Sequence, residues 1–137
     1  MNGGEALAQA ALALVGTGFR LHGRDPATGL DCLGLAGAAL SRCGLNVALP
    51  AAYRLRSDAA SLLPAAGIAG LDEISSDAPY AAGDMLLVRS GPGQAHLVIL
   101  VPGGFVHAHA GLRRVVLTPG KMSWPLLRGW RLPAKQG

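Results

Sequence analysis

Aromatic residues are scarce, with Phe, Trp and Tyr making up 4% of the 137 residues. The twelve Lys and Arg occur singly or in pairs such as Arg113 and Arg114. Basic runs interleaved with stacking rings are therefore missing, and no nucleic-acid partner is expected. Charged residues are also few, at 15% against 50% hydrophobic, and the mean hydropathy is +0.35. That balance excludes intrinsic disorder and coiled coil. No apolar run reaches the ~20 residues that cross a bilayer, so no membrane span is expected. The first fifteen residues, MNGGEALAQAALALV, carry an Ala-Leu stretch but no Lys or Arg. They lack the basic start of a secretory signal, and cytoplasmic synthesis is the expectation. There are two cysteines, Cys32 and Cys43. On one helix they would stand ~16 Å apart, outside disulfide reach, and both read as free thiols. The patterns HExxH, CxxC and GxSxG are absent, which removes the usual zinc-site and serine-hydrolase signatures.

The length fits one domain over 1–137, and twenty Gly and nine Pro without a period imply many tight connections. Residues 5–15 are Ala- and Leu-rich and read as a helix closed by Gly16. The stretch 16–31 clusters Gly, Asp, Pro and Thr and reads as a long loop that crosses the surface or lines a site. Residues 32–43 give a second helix of small residues, with Asp31 placed as its N-cap and Gly44 as its stop. A third, shorter helix is expected over 57–66, broken by Pro64, and 67–83 reads as irregular. The second half changes character. MLLVR, HLVILV, FVHAHA and RRVVLT are short, β-branched and separated by Gly/Pro clusters, the pattern of an antiparallel meander, with a last strand in 126–133. Helices followed by strands predict an α+β fold. The formal charge of +4 suits an anionic partner without identifying one.

Cys32 falls in the first turn of the second helix, where the positive end of the macrodipole stabilises a thiolate. It is the candidate nucleophile; the competing reading is a small buried core residue. Cys43, at the other end of that helix, reads as core. Three of the four histidines lie in adjacent predicted strands. Alternation puts His96 with Val98 and Leu100, and Phe105 with His107 and His109. If the connection through VPGG holds two or four residues, Leu100 opposes Phe105, Val98 opposes His107 and His96 opposes His109. His96 is then within reach of His107 diagonally or His109 directly. A base oriented by a third group beside a thiol is what nucleophilic catalysis requires. The rival is a tetrahedral zinc site of Cys32, His96, His107 and His109, without a supporting motif. His22 reads as a surface residue.

The order of these motifs carries more than any one of them. The run GTGFRLHGRDPATGLDCLGL (16–35), then AAGDMLLVR (81–89), then HLVILVPGGFVHAHAG (96–111), resembles the NlpC/P60 family of papain-like cysteine peptidases. The resemblance covers most of the chain apart from about 45–78. It implies a papain-like α+β fold, with N-terminal helices packed on a five- to six-stranded antiparallel sheet. It also implies Cys32 as nucleophile, its backbone amide in the oxyanion hole, His96 as base and His107 as orienting residue, with His109 as substitute.

The sequence departs from the family pattern at three places. Phe19 stands where the family has Tyr, Leu33 where it has Ser, and the hairpin is one residue shorter. The implied reaction is cleavage of an amide in a peptidoglycan stem peptide, beside D-glutamate, without a cofactor or metal. Phe19, Arg20 and Asp31 would contact substrate, and by charge type alone Arg20, Arg24, Arg54 or Arg56 would meet stem carboxylates. Leu33 and the SWPLLRGWRLP segment look most like the phage-type branch, which implies phage tail proteins as partners and a place in a phage-like particle. The alternatives are a catalytically weak structural part of a phage tail tip, and an acyltransferase on the same scaffold.

Overall fold

The computed structural model describes residues 3–45, 70–75, 79–92 and 94–133. The helix expected over 57–66, and Arg54 and Arg56, lie outside them. Among the described residues the elements are α1 (Gly3–Ala13), β1 (Arg24–Asp25), β2 (Gly29–Leu30), α2 (Cys32–Arg42), β3 (Asp72–Ile74), β4 (Met85–Gly91), β5 (Gln94–Val101), β6 (Gly104–His109), β7 (Arg114–Pro119) and β8 (Leu126–Arg131). Strands β3 to β8 form one six-stranded antiparallel sheet in the order β3-β8-β4-β5-β6-β7. The α+β class is as expected.

One expectation about the strands needs correction, and the place of the last strand in the sheet is new. The last strand lies where expected, within 126–133, and it returns to pair with β4, Met85 opposite Trp130. The stretch read as irregular contributes β3, which lies on β8 with Asp72 opposite Arg131. Three residues are too few to show an alternation in the sequence. The loop 16–31 is also partly paired. Gly16 and Phe19 donate N–H bonds to the carbonyls of Val115 and Arg113, both at 2.9 Å, so this segment covers one end of edge strand β7. β1 and β2 then form a short hairpin.

Alternation along the strands sorts the core into two layers. Met85, Leu87, Leu97, Ile99, Val106 and Trp130 pack against Leu7, Leu14, Leu33 and Leu40 of the helical side. Leu86, Val88, Val98 and Phe105 form a smaller cluster on the other face, covered by Met122 and Trp124. At roughly 1.5–3 kcal/mol for each fully buried large side chain, the first layer fixes α2 against the sheet.

The small residues of α2 have a packing reason. A Cβ at Gly34 would strike the carbonyl oxygen of Gly23, so the turn before β1 sits directly on the start of the helix.

The β5–β6 connection is the two-residue loop Pro102-Gly103, with Gly103 at φ 80°. Pro fixes the first position and Gly supplies the positive φ of the second. This loop sets the register, and Leu100 opposes Phe105 as the parity argument requires. The β5–β6 ladder stops at Ile99–Val106, whereas β4–β5 and β6–β7 continue past it to Gly91–Gln94 and His109–Arg114. The sheet therefore opens between the first half of β5 and the second half of β6.

Candidate active site

A cavity of about 390 Å³ occupies this opening, lined among others by Phe19, Cys32, His96, His107, His109 and Trp124. Cys32 comes from the helical side as the first residue of α2, and is 6% exposed. The histidines come from the two strands that part.

The start of α2 is held by Asp31, which is completely buried. Its carboxylate accepts from the Gly34 N–H at 2.8 Å, as an N-cap should. It also accepts from the His22 N–H at 2.7 Å and from the Arg24 guanidinium at 2.7 Å. His22 holds a left-handed φ of 62° in doing so. Helix cap, turn and β1 are tied to one carboxylate, and Cys32 is the next residue.

On the strand side, His96 Nε2 lies 3.0 Å from His107 Nδ1, and His107 Nε2 lies 2.9 Å from Thr118 Oγ1. These contacts form a continuous line of polar atoms from β5 across β6 to β7. Trp124 stands against both imidazoles, with ring centroids 6.0 Å from His96 and 5.6 Å from His107. Burial pushes the pKa of His96 down from 6.5 to about 4, helped by the charges that His107 and His109 would carry. Burial and His109 bring His107 to about 4 as well. Both rings are therefore neutral at pH 7.

The candidate residues do not all meet in the cavity. Cys32, His96, His107, His109 and Phe19 line it together. Arg20 is exposed and is not among its lining residues. Asp31, expected at the substrate, is fully buried and is not among the lining residues; it fixes the helix start. His109 does not bond His96; its Nδ1 accepts the Leu112 N–H at 3.1 Å. Both ring nitrogens of His107 are engaged within the protein, which speaks against the zinc reading. Among the described residues no group of three or more His, Cys, Asp or Glu could hold a metal ion.

Thr118 and Trp124 were not expected from the sequence. Thr118 opposes Phe105, two pairs along from His107–Val116, so it is the diagonal neighbour of His107 on the same face. Parity on β7 would have found it once the β6–β7 register was known. Trp124 lies in an irregular segment, where no periodicity points to a face.

No family model matches the sequence, and no curated protein matches it. Solved structures do. The NlpC/p60 domain of the peptidoglycan hydrolase SagA is similar, with a TM-score of 0.61 and 25% identity over 92% of this chain and 96% of that one. An NlpC protein of Trichomonas vaginalis gives a TM-score of 0.64 at 21% identity, over 98% of this chain and 45% of its own. The peptidoglycan hydrolase RipB of Mycobacterium tuberculosis gives 0.60 at 17% identity, over 98% and 66%. The chain thus spans nearly all of the SagA domain and less than half of the Trichomonas protein. The two helices and six-stranded antiparallel sheet of the described residues match the NlpC/P60 fold.

Proposed function

We propose that the protein is a thiol peptidase that hydrolyses an amide bond in peptidoglycan stem peptides, next to D-glutamate. One observation carries this reading: Cys32, at the start of a buried helix, opens onto the same cavity as His96, whose Nε2 bonds His107. That SagA and RipB are peptidoglycan hydrolases supports the substrate class.

The chemistry follows from the line of polar atoms. With its proton on Nε2 and directed at His107 Nδ1, a neutral His96 keeps the Nδ1 lone pair as base. His107 then carries its own proton on Nε2, towards Thr118 Oγ1. His96 takes the thiol proton as the sulfur attacks the carbonyl carbon, and the backbone amide at the helix start stabilises the oxyanion. The imidazolium gives its proton to the leaving amine as the C–N bond breaks. Water then hydrolyses the thioester with His96 again as base. His107 fixes ring and tautomer, the part a carboxylate plays in a Ser-His-Asp triad.

The phage-type features of the sequence, Leu33 and the SWPLLRGWRLP segment, support action within a phage-like particle beside tail proteins, after synthesis in the cytoplasm. Phe19 lines the cavity without the hydroxyl of the family Tyr, and this favours, as second reading, a tail component that hydrolyses little. Incubating purified muropeptides with the protein and with Cys32→Ala, then seeking new amine termini by mass spectrometry, separates the two. Cleavage by the parent alone supports the peptidase, and intact muropeptides with folded parent support the structural role.

A further inference from the structure

His109 lines the cavity but takes no part in the His96–His107 pair. Its Nδ1 accepts a backbone N–H, that of Leu112, at 3.1 Å. A backbone amide can only donate, so Nδ1 is the unprotonated nitrogen and the ring proton sits on Nε2. That Nε2–H has no partner among the described residues. The pose is fitted to the turn: a Cβ at position 111 would come within 3.1 Å of His109 Cε1, so Gly111 makes room for the ring. The cleft thus holds a half-buried donor of fixed tautomer, on the wall it shares with Phe19 and Gly111.

Three arginines adjoin this wall among the described residues. Arg114 is the register partner of His109, Arg113 precedes it in the turn, and Arg20 follows Phe19. All three are exposed, and the ion pairs of the described residues join other arginines, Arg24, Arg128 and Arg131, to Asp31, Glu73 and Asp84. A neutral carbonyl would satisfy the N–H, but only an anion gains from these three guanidinium groups as well. We propose that His109 is a specificity-determining residue whose Nε2–H binds a substrate carboxylate.

The inference rests on the peptidase reading and names what that site selects. In a stem peptide the γ-linked D-glutamate keeps a free α-carboxylate close to the adjacent amide, within reach of a donor beside Cys32 and His96.

The test uses L-Ala-γ-D-Glu-L-Lys and the same peptide with the D-glutamate α-carboxylate converted to carboxamide. The expected kcat/KM ratio favours the carboxylate by about tenfold, since hydrogen bonds to charged groups are the stronger class. His109→Phe should bring that ratio towards one, and His109→Gln, which retains an N–H donor, should keep part of it. An equal ratio in parent and His109→Phe overturns the inference. If the parent cleaves neither peptide the peptidase reading fails on its own. The His109 ring ¹⁵N signals of Cys32→Ala then decide: a shift with the carboxylate peptide and none with the carboxamide is expected, and no shift with either contradicts the proposal. The same measurement stands if His109→Phe does not fold.

Discussion

His96 Nε2 and His107 Nδ1 are 3.0 Å apart, yet the strands that carry them stop pairing at Ile99 and Val106. The contact is made by side chains across a gap where the backbones no longer hold one another. His107 must then be held from its other side, and Thr118 does so at 2.9 Å.

Replacing Thr118 by Val removes the hydroxyl with little change of shape. The His107 ring loses a net ~1 kcal/mol of hydrogen bonding and its preferred tautomer, so kcat should fall about five- to tenfold. Thr118→Ser should restore it. The ¹⁵N shifts of His107 check the cause, because Thr118→Val should mix the two tautomers and Thr118→Ser should not.

Trp124 stands edge-on against both rings of the histidine pair. Since burial is the largest cause of both lowered pKa values, Trp124→Ala should raise both from about 4 towards 6.5. An NMR titration of the imidazole C–H protons reads this directly. Unchanged midpoints would show that the ring is not the shield.

Stability should follow pH through the same two groups. Each imidazole titrates near 4 when folded and near 6.5 when exposed, so between these values the unfolded chain binds protons that the folded one refuses. Their contribution is complete above pH 6.5 and declines as pH falls towards 4, by up to ~1.4 kcal/mol per unit and per group. From pH 7 to pH 5 the unfolding free energy should drop by roughly 2–4 kcal/mol in urea titrations. His107→Gln should show a shallower dependence.

Asp31 serves the helix start and the turn before it together. Asp31→Ala leaves the N–H groups of Gly34 and His22 without their acceptor and Arg24 without its carboxylate. Roughly 2–4 kcal/mol of stability should be lost, measured by denaturant unfolding. Slower alkylation of Cys32 in the molecules that remain folded would show that the cap also positions the thiol.

What could be read beforehand was whatever depends on local pattern. The helix at Cys32, its Asp31 cap, the strands from Met85 onward and the Leu100–Phe105 register follow from period, capping and a short Pro-Gly loop. What could not be read depends on distant partners. β8 joins β4 because Trp130 and its neighbours complete the core there, and no signal near residue 126 marks that choice. The diagonal between His96 and His107 followed from parity. Their separation from His109 did not, because it is set by the turn at 110–113, where Arg113 takes a φ of 59° and the Leu112 N–H meets His109. Thr118 needed a register that this same irregular turn defines.

The central claim is that His96, oriented by His107, activates the sulfur of Cys32. It is tested most directly by the rate and site of alkylation with iodoacetamide at pH 7, mapped by mass spectrometry in the parent, His96→Ala and His107→Ala. Burial raises the Cys43 thiol pKa, which makes that residue a slow internal reference. The expected result is rapid labelling of Cys32 in the parent, at least tenfold slower in His96→Ala and intermediate in His107→Ala. Equal rates in all three proteins, or labelling of Cys43 before Cys32, would contradict it.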